Sequence, residues 1–133
     1  MPGNESVGRD GALRMHTKLQ RGALRVEVSG TADYETTAAY WRAIDAELVK
    51  DRVLRVLLID RTTGDALTAD DWKRLVASVA GTAVARARIA HVKPNGLQNI
   101  EYCALYALEA GIDARVFTHE TEADLWLRYG EKS

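Results

Sequence analysis

The sequence predicts an α/β domain with one mixed sheet flanked by helices, and three observations predict it. The first is Val53 to Asp60, V-L-R-V-L-L-I-D, where apolar residues fill consecutive positions instead of alternate ones. A strand covered on both faces reads that way. The second is the alternation of strand-like and helix-like segments beyond it, which implies crossover connections, parallel pairing and right-handed topology. The third is a pair of alternating runs before it, joined by a short glycine-containing turn, the mark of an antiparallel hairpin with one wet face. The predicted order is β-β-α-β-α-β-α-β-α, with the N-terminal hairpin as the antiparallel edge of the sheet.

Residues 1–11 are polar, with three glycines and a proline, and are expected as a flexible tail ahead of a domain spanning 12–130. From Ala12 to Leu19, Leu13, Met15, Thr17 and Leu19 alternate with Arg14, His16 and Lys18. After Gln20-Arg21-Gly22 the alternation resumes, with Leu24, Val26 and Val28 set against Arg25 and Glu27. A helix over 33–50 follows from the stripe Tyr34, Ala38, Trp41, Ile44 and Leu48, with Thr31 as the expected N-cap and Asp33 and Glu35 in the first turn. Beyond the central strand, Thr68-Ala69-Asp70-Asp71 has the form of a capping box with Asp in the usual Glu position. It opens a helix with the stripe Trp72, Leu75, Val76 and Val79, which Gly81 closes. Arg86 to Lys93 is the next predicted strand, ended by Pro94-Asn95-Gly96. Asn95 and Gln98 form a second box opening a helix over 97–110 that stops at Gly111. Ala114 to Thr118 is a short strand, and Thr118 is the expected cap of a last helix over 120–129, with Ala123, Trp126 and Leu127 inward.

Composition narrows the function classes. The chain has 133 residues, 47% hydrophobic and 28% charged, the profile of one ordinary soluble domain. A formal net charge of −1 offers no basic surplus for nucleic acid or an anionic membrane. No apolar run approaches the roughly 18 residues that span a bilayer, and the first residues lack a signal peptide's charged and apolar regions. Cys103 is the one cysteine, so an intrachain disulfide and a thiolate cluster are both excluded. The expectation is a cytoplasmic protein with no cofactor.

Candidate chemistry is sparse. The three histidines, His16, His91 and His119, share no ligand spacing, so no metal site is expected. Cys103 falls at core spacing with Leu97, Ile100 and Ala107, as a small hydrophobe would. The three tryptophans all fall on helix core stripes. Asp60 and the polar Arg61-Thr62-Thr63-Gly64 lie at the carboxyl edge of the sheet, where α/β proteins place ligands. Lys93, Asn95 and Gly96, at a neighbouring strand-to-helix turn, make a candidate anion site. The helix over 97–110 carries Tyr102, Leu105 and Tyr106 away from its core stripe, a second apolar face that implies an interface, expected to be a homodimer.

These patterns resemble the STAS superfamily, and more closely its SpoIIAA-like branch, which borders on the lipid-binding CRAL-TRIO proteins. The resemblance covers Leu24 to Tyr129. It rests on S-G-T-A-D-Y opening the first helix, on R-A-R-I-A-H-V, on Leu105-Tyr106-Ala107-Leu108, and on A-R-V-F-T-H-E-T-E-A-D-L-W-L. It implies a regulatory or binding module for a protein partner or a small anionic or lipid ligand, without catalysis. STAS switches carry an Asp-Ser-Ser/Thr-Gly signature with a phosphorylated residue at a helix N-terminus. On that resemblance Thr62 or Thr63 would be the switch, although Arg61 stands in the acidic position and the next helix begins late. The alternative is a small enzyme using Asp60, His91 and Lys93 at the sheet edge.

Overall fold

The computed structural model describes residues 3–7, 13–63, 67–94 and 106–130. Its strands are β1 (Gly3–Val7), β2 (Leu13–Gln20), β3 (Ala23–Thr31), β4 (Arg55–Thr63), β5 (Arg88–Val92) and β6 (Asp113–Phe117). They form a single six-stranded sheet in chain order. The β1–β2 and β2–β3 pairs are antiparallel, and the pairs from β3 to β6 are parallel. The helices are α1 (Tyr34–Asp51), α2 (Ala69–Ser78), the single-turn α3 (Ala83–Arg86) and α4 (Glu120–Tyr129), and residues 106–109 are also helical. This is the mixed α/β sheet the patterning predicts, with antiparallel strands first and parallel crossovers after.

Several boundaries differ from the predicted ones, and Arg86 belongs to the unpredicted α3 instead of the following strand; three differences have a clear reason of pairing or capping. Part of the expected tail, Gly3–Val7, forms an edge strand whose register runs from Gly3↔Thr17 to Val7↔Leu13. Its sequence, G-N-E-S-V, has one aliphatic residue, so the ladder to β2 forms it and no alternation announces it. The cap of α1 is Asp33, not Thr31. Thr31 pairs with Thr63 in the sheet, while Asp33 accepts from the Thr36 amide at 2.8 Å and Thr36 Oγ1 accepts from the Asp33 amide at 2.8 Å. Asp33→Ala should therefore lose about 0.5–2 kcal/mol in urea unfolding and Thr31→Ala much less. Equal losses would return the cap to Thr31. Finally, α4 is capped by His119 without a side-chain hydrogen bond, in place of Thr118.

Other local readings hold in the structure. Arg21 and Gly22 both have positive φ, 54° and 79°, as a two-residue hairpin turn requires. Thr68 and Asp71 form their capping box, the Asp71 amide donating to Thr68 Oγ1 at 3.1 Å. Asp45 on α1 takes the first amides of α3, Ala83 at 2.8 Å and Val84 at 3.3 Å, and so fixes a turn too short to stand alone.

The sheet separates two cores. On one face Val26, Val28, Val56, Leu58 and Ile89 pack beneath α1, α2 and α3 with Trp41, Ile44, Trp72 and Leu75. On the other, Leu57, Ile59, Ala90 and Val92 are covered by α4 through Ala123, Trp126 and Leu127. Alternate residues of β4 thus enter different cores, which is why its sequence is continuously apolar.

Candidate functional site

Strand alternation carries one face of β4 from Val56 and Leu58 to Asp60 and Thr62, toward α1. His91 lies on β5 as the register partner of Leu58, and Lys93 follows two residues later. The four polar residues converge at the carboxyl edge, and all are buried, at 3% exposure for Asp60, 6% for Thr62, 2% for His91 and 7% for Lys93.

Asp60 organises them. Its Oδ1 accepts from the Thr62 hydroxyl at 2.6 Å, the Thr62 amide at 3.0 Å and Lys93 Nζ at 3.2 Å. Its Oδ2 lies 2.9 Å from His91 Nε2. Lys93 Nζ also donates to the Thr62 carbonyl at 2.9 Å and to Thr62 Oγ1 at 3.2 Å, so each of its three donors has an acceptor. Burial pushes the Asp60 carboxyl up. The His91 hydrogen bond and charge, the Thr62 hydroxyl and the Lys93 ammonium outweigh that and hold it well below the usual carboxylate range. An ionised carboxylate only accepts, so His91 carries its proton on Nε2 and donates it. Nδ1 is left buried without a partner.

Trp41 stands edge-on to this imidazole, with ring centroids 6.4 Å apart and an interplanar angle of 74°. Both residues line an apolar cavity of about 40 Å³, with Leu75, Val84, Ile89 and Val116 among its walls. Ligand pockets run to about 300–1,000 Å³, so a lipid chain has no room there.

The structure therefore brings Asp60, His91, Lys93 and Thr62 together. Thr62 belongs to β4, not to a loop, because the parallel ladder continues through Gly30↔Thr62 and Thr31↔Thr63. The first residue of α2 is Ala69, six residues past Thr63, so α2 does not begin directly after the threonines as the helix of the STAS signature does. Thr63 is exposed and its hydroxyl donates to the Gly30 carbonyl at 3.3 Å. Tyr106, expected on the outward face of its helix, is instead half-buried and packs against the α1 core. Gly64, Asn95, Gly96, Tyr102, Cys103 and Leu105 lie outside the described residues. Trp41 beside His91 was not legible as part of a site, since its helical spacing already accounts for it as core. Among the described residues no group of three His, Cys, Asp or Glu is placed to hold a metal ion, and no helix is long and apolar enough to cross a membrane. Neither the protein-family models nor the curated proteins contain a match to this chain.

Proposed function

We propose that this protein is a non-catalytic regulatory module of the STAS-like kind, acting in the cytoplasm by docking a protein partner at the carboxyl edge of its parallel strands. One observation carries the reading: at that edge Asp60, Thr62 and Lys93 spend their donors and acceptors on one another. A group that acts on a substrate needs a free atom within hydrogen-bond reach of it. A closed network supplies rigidity and shape instead. Lys93, the cation of the expected anion site, has no donor to spare, which favours a protein over a small anion at this edge. Of the two candidate switch residues, Thr63 is the one a kinase reaches, and a phosphate there adds up to about two negative charges to the docking edge. A homodimer through the face bearing Tyr102 and Leu105 belongs to the same proposal. Native mass spectrometry of the protein isolated from its own cells tests it. A complex with a second chain supports the proposal, and a bare monomer of 14.7 kDa overturns it.

A second reading, a small enzyme, has one observation in its favour. His91 is held by a carboxylate at one nitrogen and leaves the other unpaired, as in a general base. Its burial favours the first reading, and the consequence is measurable. Diethyl pyrocarbonate should modify exposed His119 rapidly and leave His91 unmodified in the folded protein. Modification of His91 at a rate comparable to His119 would bring the enzyme reading back.

A further inference from the structure

At the opposite, amino edge of the sheet three strands begin side by side on charged residues, with Arg55↔Arg88 and Arg88↔Asp113 as register pairs. The end of α3 adds Arg86 and the end of α4 adds Arg128 and Tyr129. Together they line an open cleft of about 360 Å³, at the lower end of the size range for small-molecule sites.

The four arginines are not equivalent. Arg88 is fixed: its Nε donates to Asp113 Oδ2 at 2.9 Å, its Nη1 donates to the Trp126 and Gly130 carbonyls at 2.9 and 2.6 Å, and its guanidinium lies over the Trp126 ring at 4.3 Å. Arg128 is held by Asp124 at 2.8 Å, and its buried Nε has no partner. Arg88 is thus paired with Asp113, and Arg128 shares Asp124 with Arg21 at 3.7 Å. Arg55 and Arg86 are exposed and have no carboxylate within ion-pair distance among the described residues. Two guanidinium groups without a carboxylate partner among the described residues therefore line a cleft in which Arg88 is fixed by three hydrogen bonds. Beside them stand an aromatic ring, Tyr129 at 74% exposure, and an aliphatic side chain, Leu54 at 49%. Arg128 lies 5.2 Å from the centre of the Tyr129 ring and steadies it.

We propose that this amino-edge cleft binds a small organic phosphate carrying a planar ring, with Arg55 and Arg86 on the phosphate and Tyr129 and Leu54 against the ring. Guanidinium forks match phosphate oxygens in pairs, and two of them balance a dianion. The site is separate from the Asp60 network and does not depend on the docking function proposed for the other edge. None of its four arginines stands out in the sequence, because they come from four separate elements and each reads as an ordinary charged terminus.

The test is calorimetric and amide-shift titration of the full chain with adenosine 5′-monophosphate as probe, beside adenosine and inorganic phosphate separately. The expected result is saturable binding of the monophosphate, with shifts at Arg55, Arg88 and Tyr129, that weakens as salt is raised. Arg55→Ala and Arg86→Ala should each reduce affinity about ten- to a hundredfold. Both positions are exposed, and unchanged melting of the variants verifies that folding is not what was lost. Absence of saturable binding, equal binding of adenosine, or unchanged affinity in both variants would overturn the proposal. So would binding of a phosphopeptide without binding of the monophosphate, which would make the occupant a protein.

Discussion

Lys93→Met should cost about 3–5 kcal/mol of unfolding free energy, because it takes the ammonium away from the buried Asp60 carboxylate. That is a large part of the roughly 5–15 kcal/mol that holds a domain of this size together. The side chain is not lost for its packing, since Met preserves most of the stem; the loss is electrostatic. Asp60→Asn in the Lys93→Met background should therefore restore part of the stability, with a coupling of about 0.5–3 kcal/mol in a double-mutant cycle followed by urea unfolding. Strict additivity would mean that Asp60 and Lys93 do not act as a pair.

The same pair sets an acid dependence. The folded Asp60 carboxyl lies well below its ordinary value, so the unfolded chain binds the proton more readily and stability rises with pH. The contribution is complete above the unfolded carboxyl's value of about 3.9 and is lost as pH falls from there through the lower folded value. Urea midpoints at neutral and acid pH should converge in Asp60→Asn relative to the parent protein. An unchanged acid slope would assign the dependence to other carboxylates.

Trp126→Ala is the second large effect, at about 3–5 kcal/mol. Among the described residues α4 is the helix that covers Leu57, Ile59, Ala90 and Val92, and Trp126 is the largest side chain it contributes. The ring packs on Phe117 at 5.7 Å, and Arg88 and Arg115 lie over it at 4.3 and 5.2 Å. Removing it takes the apolar cover from Ile59 and Val92 and the seat from Arg88 together. Hydrogen exchange should show the amides of α4 losing protection before those of α1. A loss near 1 kcal/mol, typical of an ordinary substitution, would mean that Leu127 and the Arg25–Glu120 pair, whose two hydrogen bonds are both 3.0 Å, hold the helix by themselves.

Local periodicity by itself determined most of the architecture. Continuous apolar sequence made β4 central, alternation made the β2–β3 hairpin, and the predicted stripes of α1, α2 and α4 supply the residues these helices bury. The Thr68 cap and the turn at Gly22 were equally legible, because their chemistry is complete within four residues. What tertiary structure decided has its partners far away in the chain. β1 is a strand because β2 offers its edge, and β4 runs on to Thr63 because β3 does. Asp60, Lys93 and His91 were each candidates, but closure of their network depends on contacts 31 and 33 residues apart. The physical reason is one of range. Periodicity tells which face of an element is dry, whereas a buried charge is decided by which group the fold brings to meet it.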